Sequence, residues 1–147
     1  MSLLYADTSA LMRAYFADEP DHELLRGLLL EGVEPVVTSE LARVEFASAV
    51  TAARRAGCLP EASTVLDRFD ADCGDDGPLT LLRLDPEPVL AIAHELVRDY
   101  RLRTLDAIHL AVALTDAADL AAGEKLTMVT RDEDQAAAAR EAGIATT

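Results

Sequence analysis

The sequence predicts an α/β protein built on a short-stranded parallel β-sheet with helices covering both faces. Three observations carry that prediction. Short apolar runs alternate with helix-length segments along the chain. The runs are apolar throughout rather than alternating with polar residues, as strands buried on both faces are. The segments between them are long enough to serve as the crossovers that parallel pairing requires. No repeat, low-complexity tract or linker interrupts the 147 residues, close to the usual size of one domain, so a single domain over 1–147 is expected.

Leu3-Leu4-Tyr5-Ala6 is the first strand and stops at Asp7. Thr8 and Ser9 then offer capping hydroxyls to a helix through Ala10–Phe16. Glu19-Pro20-Asp21 restarts a helix whose Leu24, Leu25, Leu28 and Leu29 share one face, and Gly32 ends it. Pro35-Val36-Val37 is a strand; Thr38 and Ser39 precede a long helix, predicted to pack along Leu41, Val44, Ala47, Ser48 and Thr51 before Gly57 stops it. After Pro60 a helix through Val65, Leu66 and Phe69 runs into Asp72-Cys73-Gly74-Asp75-Asp76-Gly77-Pro78, the clearest loop. Leu79–Leu84 is a strand, and Pro86 and Pro88 open a helix reaching Tyr100. Thr104 introduces a nearly all-apolar helix from Leu105 through Leu114, which belongs in the interior. Lys125–Thr130 is a strand, Arg131-Asp132-Glu133-Asp134 starts an Ala-rich helix, and Ile144-Ala145-Thr146 closes the chain.

Half of the residues are hydrophobic and 4% aromatic, so the core must be built mainly from Ala, Leu and Val. The net charge of −14 weighs against a broad nucleic-acid-binding surface. Against that, 12 of the 13 cations are Arg, whose planar fork matches phosphate. Cys58 and Cys73 form no CxxC pair and lack a nearby His at zinc-ligand spacing, so neither a disulfide framework nor a zinc site is expected. No basic segment followed by an apolar one opens the chain, and no apolar run approaches the ~20 residues that span a bilayer. A cytoplasmic protein without membrane contact is expected.

In open parallel sheets, ligands bind outside the carboxyl ends of the strands. Asp7 and Asp132 each follow a strand directly, so both acids are expected at one edge. Carboxylates that converge without a basic partner repel by roughly 4 kcal/mol at ~4 Å and an effective dielectric of about 20, so they need a cation or must protonate. Converging acids therefore point to a hard metal ion.

Four segments occur in a telling order: Tyr5-Ala6-Asp7-Thr8-Ser9-Ala10-Leu11, Arg43-Val44-Glu45-Phe46-Ala47-Ser48-Ala49, Leu105-Asp106-Ala107-Ile108-His109-Leu110-Ala111 and Val129-Thr130-Arg131-Asp132. Together they resemble the PIN domain, specifically a VapC-type toxin, over essentially the whole chain. The resemblance implies an α/β/α sandwich around a parallel sheet and Mg²⁺- or Mn²⁺-dependent endonucleolytic cleavage of RNA. It implies an active site formed by Asp7, Glu45, Asp106 and Asp132. Mg²⁺ keeps several waters and takes one or two carboxylates directly; Asp7 and Asp106 are the expected closest ligands. Glu45 and Asp132 are left to orient water or hold a second ion. Water activated by the metal would then attack the phosphate in line.

The resemblance also implies a VapB-type antitoxin partner, homodimers or toxin–antitoxin hetero-oligomers, and an RNA substrate that the sequence leaves open among transfer, ribosomal and messenger RNA. The −14 charge suits a basic partner segment.

Each acid also has a simpler role. Asp7 stands where a helix cap would, Asp106 and Asp132 where first-turn acids complement a helix dipole, and Glu45 at a position that solvent could reach. His109, three residues past Asp106, reads as a hydrogen-bonded packing residue rather than a general base. His22 and His94 lack partners at metal-binding spacing. Thr8, Ser9 and Thr130 are candidate supporting hydroxyls; Arg13, Arg43, Arg103 and Arg131 are phosphate contacts or ion-pair partners. After Asp132 come Glu133, Asp134, Gln135 and Ala136 where relatives place an apolar residue, so whether Asp134 shares Asp132's work stays open. A phosphotransfer receiver would need a Lys after a late strand, yet Lys125 precedes it; a haloacid-dehalogenase-type phosphatase would need an Asp where Ser9 stands. A PIN-like module that binds RNA or protein without cutting is the remaining alternative.

Overall fold

A computed structural model describes residues 2–57 and 61–147. Five strands form one sheet in the order β3-β2-β1-β4-β5: β1 (Ser2–Ala6), β2 (Val36–Ser39), β3 (Leu79–Leu82), β4 (Lys125–Val129) and β5 (Ala145–Thr146). All four pairings are parallel. From β1 the chain moves outward to β2 and β3 through α1 (Thr8–Tyr15), α2 (His22–Leu29), α3 (Leu41–Arg55) and α4 (Ala62–Asp72). It then recrosses the sheet through α5 (Pro86–Asp99), α6 (Thr104–Val112), a π turn (Ala113–Ala117) and α7 (Ala118–Ala121) to reach β4, and α8 (Glu133–Glu141) leads to β5.

Reversing the direction of travel puts the second set of helices on the opposite face if both crossovers keep one hand. The packing shows this. Leu4, Ala6, Val36 and Val129 point into a core with α1–α4, while Leu3, Tyr5, Val37 and Met128 point into a second core with α5, α6 and α8. Strand side chains alternate between faces, so strands covered on both sides are largely apolar, with Thr38, Ser39 and Thr127 the buried hydroxyls among them. The expected α/β/α arrangement with a parallel sheet is thus observed.

Two local expectations are revised. The long helix α3 does not pack along Leu41, Val44, Ala47, Ser48 and Thr51; Ala42, Phe46 and Val50 are buried and Val44 is 68% exposed. Phe46 sets the face: its ring stacks on Phe69 with centroids 4.1 Å apart and meets Tyr15 edge-on, a larger apolar contact than Val44 could provide. Strand β2, expected over Pro35–Val37, instead runs Val36–Ser39 and takes in Thr38 and Ser39, and the Ser39 hydroxyl accepts from the Leu41 amide. The glycine-rich loop before β3 is tightly wound; at Gly77 a Cβ would lie 2.0 Å from the Asp72 carbonyl oxygen. Cys73 is a free thiol that burial pushes up to about 11. Cys58, and Pro60 before α4, lie outside the described residues. Among the described residues no helix is long and apolar enough to cross a membrane.

Candidate active site

Strands β1 to β3 build the sheet outward on one side and β4 to β5 on the other, so the carboxyl ends of β1 and β4 flank the switch point. Asp7 follows β1 there. It caps α1 in place of the expected Thr8 or Ser9, accepting from the Ala10 amide at 3.0 Å. The two hydroxyls serve other acids: Ser9 donates to Asp7 Oδ1 at 2.7 Å and Thr8 to Glu45 Oε1 at 2.9 Å. From the end of β4 the Thr130 hydroxyl reaches Asp7 Oδ2 at 2.6 Å. Three hydrogen bonds thus fix the carboxylate and leave lone-pair capacity on Oδ2. Burial pushes the Asp7 carboxyl above its ordinary range, against the bonds from Thr130, Ala10 and Ser9.

Asp132 caps α8, with Oδ1 accepting from the Gln135 amide at 2.9 Å. Asp106 sits in the first turn of α6, and Glu45 on α3 beside the buried Phe46. The structure brings all four acids together: Asp7, Glu45, Asp106 and Asp132 line one cavity of about 230 Å³ with Thr8, Ser9, Arg103 and His109. A neighbouring hollow of about 460 Å³ shares Arg103, Asp106 and Asp132 with it and adds Asp134. Asp134 therefore faces the outer hollow rather than Asp7. A larger depression between Leu82–Pro86 and Asp116–Leu120 holds none of the four.

Arg103 is the cation of this cavity. Its guanidinium lies 3.2 Å from Asp106 and 3.5 Å from Asp132 while its side chain is 84% exposed. Burial and repulsion from Asp132 raise the Asp106 carboxyl above its ordinary range even though Arg103 opposes them. Among the described residues, no three carboxylates, imidazoles or thiols are already grouped tightly enough to enclose an ion. Mg²⁺ needs no such group, since one or two direct carboxylates suffice and its other ligands are waters. The donors are hard oxygens, and among the described residues buried Asp7 has no basic partner within ion-pair distance, so the set fits a hard divalent cation.

Three residues were not singled out from the sequence in these roles. His109 is buried, as expected of a packing histidine, but its Nε2 is 2.5 Å from Glu45 Oε1 and its Nδ1 2.7 Å from the Tyr5 hydroxyl. Gln135, fully buried, donates to the Asp106 carbonyl at 2.8 Å and lies 3.1 Å from the Thr130 hydroxyl, tying α6 and α8 to the end of β4. An Asp cap with Gln three residues on has the sequence of a capping box, but Gln135 does not reach back to the Asp132 amide, which donates to Thr130 instead, so that signal would have pointed to Gln135 without giving its role. Of the other arginines, Arg43 pairs with Asp70 and Arg131 with Asp21, both outside the cavity. His22 bonds the Arg13 carbonyl through Nδ1.

An acidic cavity at the switch point of a five-stranded parallel sheet, in this strand order, defines the class, and comparison with known proteins specifies it. The PIN domain family model matches residues 4–141. The chain is 34% identical over 146 residues to Ribonuclease VapC47 of Mycobacterium tuberculosis (strain CDC 1551 / Oshkosh), covering 98% of this chain and 95% of that protein. The chain belongs to the PIN domain family, among its VapC members. Its fold is shared with Mycobacterium tuberculosis VapC20, a sarcin-ricin loop cleaving toxin (TM-score 0.67, 19% identity, 96% of this chain and 95% of that one). It is shared too with VapBC2 from Rickettsia felis, solved on a DNA fragment from its promoter (TM-score 0.64, 12% identity, 99% and 97%).

Proposed function

We propose that this protein is a divalent-metal-dependent endoribonuclease acting as one PIN-like domain, the toxin of a VapB–VapC-type toxin–antitoxin pair. The observation that carries the reading is the convergence of Asp7, Glu45, Asp106 and Asp132, from four separate stretches, on one small cavity. Relatedness to a protein named as a ribonuclease supports it. Mg²⁺ or Mn²⁺, when bound, offsets charge on the phosphoryl oxygens and acidifies water.

The chain supplies the rest. Asp7 and Asp106, whose Oδ1 Arg103 leaves free, would hold the ion. Glu45 and Asp132 would orient the water that attacks the phosphorus, one of them taking its proton as the P–O bond to the leaving ribose oxygen breaks. Arg103, exposed at the mouth, turns from the acids to a phosphate of the RNA, a bidentate partner for its fork. A VapB-type antitoxin with a basic segment is the partner in the cytoplasm, in a homodimeric or hetero-oligomeric complex; the acidic surface supports that choice.

The test is cleavage of a mixed RNA pool by purified protein with Mg²⁺, with Mn²⁺ and with EDTA, beside Asp7→Asn. Cleavage that requires both metal and Asp7 is expected. Equal cleavage by Asp7→Asn would sink the assigned site, and no cleavage by folded, antitoxin-free protein across varied RNAs would favour a binding module.

A further inference from the structure

Glu45 is held by a hydrogen-bond chain that starts in the core. The Tyr5 ring is fully buried in β1, and burial keeps its hydroxyl protonated far above the usual range. Among the described residues the partner of its hydroxyl is His109 Nδ1 at 2.7 Å, and the Tyr5 proton is directed there. With Nδ1 accepting, the imidazole hydrogen sits on Nε2. The other side of the ring agrees. Thr8 gives its one hydrogen to Glu45, so at 3.3 Å it faces Nε2 as an acceptor, and Nε2–H donates to Glu45 Oε1 at 2.5 Å.

Both donors, Thr8 and His109, fall on the same oxygen of Glu45. Oε1 is saturated, and Oε2 carries no hydrogen bond among the described residues. We propose that His109, itself fixed by Tyr5, is a positioning residue that turns Glu45 so that Oε2 alone is presented to the cavity, as the oxygen that receives the ion's water. Resting on the nuclease reading above, the proposal adds to it the residues that aim one acid. Partners that orient an ion's ligands typically matter 10–100-fold for metal affinity when removed.

The experiment measures Mn²⁺ affinity by calorimetry and ring ¹⁵N shifts by NMR alongside RNA cleavage, for wild type, His109→Gln, His109→Asn, Tyr5→Phe and Glu45→Gln. Gln can place an amide N–H where Nε2–H sits; Asn is too short and reaches only toward Tyr5. The expected result is a wild-type ring with hydrogen on Nε2, Mn²⁺ affinity about 10-fold weaker in His109→Asn, and near wild-type affinity in His109→Gln. Tyr5→Phe, which keeps the ring's packing and serves if the histidine variants unfold, should let hydrogen appear on Nδ1 and weaken binding several-fold. A wild-type ring with hydrogen on Nδ1 only, or Tyr5→Phe and His109→Asn binding Mn²⁺ as wild type while Glu45→Gln does not, would overturn the positioning role and leave the nuclease reading standing. Glu45→Gln without effect on binding or cleavage would instead remove Glu45 from the site and both claims with it.

Discussion

Asp7 combines two demands that conflict without a cation. Its carboxylate caps a helix and anchors two hydroxyls, yet it is 2% exposed and, among the described residues, has no basic partner. Because burial raises its pKa in the folded state, the protonated form is favoured by folding: stability is fully present below the unfolded carboxylate range and is lost as pH rises through the folded value. Two outcomes follow. In EDTA, Asp7→Asn should melt at a higher temperature than wild type near neutral pH, since the amide keeps the Ala10 and Ser9 bonds without the charge. Added Mn²⁺ should raise the melting temperature of wild type and leave the variant unchanged, and scanning calorimetry reads both. Mn²⁺ affinity should also fall as pH drops, beginning above the ordinary carboxylate range because Asp7 and Asp106 both take up protons early. Calorimetric titration across pH checks this, and a pH-independent affinity would count against both as ligands. The four acids were legible in the sequence because motif order preserves them. The partnership of His109 with Glu45 was not, because it joins positions 64 apart and depends on how α3 and α6 lie across the sheet.

Among the elements, α8 and α3 carry site acids for different structural reasons. Asp132 holds the first turn of α8 through Oδ1, an interaction that Asn reproduces and Ala does not. Both Asp132→Asn and Asp132→Ala should lose cleavage, but only the alanine variant should lose about 1 kcal/mol of stability in urea titration. Equal stability would mean that the cap contributes little. On α3, Glu45 is placed by its neighbour Phe46, fully buried against Phe69 and Tyr15. Phe46→Ala should cost about 3–5 kcal/mol, measured by the same titration. Element identity was readable from period and caps. The packing face of α3 was not: counting small and branched apolar residues favoured Val44, whereas one aromatic pair supplied by α4 decides the rotation. Asp7 as a possible cap of α1 was legible beside Thr8 and Ser9, and which of the three caps is settled by Glu45 and Asp7 claiming the two hydroxyls.

For the molecule as a whole, parallel pairing was legible because strands buried on both faces are predominantly apolar, and the two cores confirm it. Charge is the other whole-molecule property. At −14, binding of a basic antitoxin segment should be steered at long range. Its association rate, read by stopped flow, should fall several-fold as salt rises from ~0.01 to ~0.15 M, where the screening length shrinks from about 30 to about 8 Å. A rate indifferent to salt would mean that the partner docks on apolar surface instead. The topology has a further consequence in time. The bond from Thr130 to Asp7 spans 123 positions, and β4 is inserted beside β1, the earliest strand made. During synthesis the acids emerge singly, Asp132 last, and the cavity cannot close until β4 and α8 have left the ribosome. The complete acidic cluster thus forms only after synthesis has passed α8, and no shorter nascent chain can carry it.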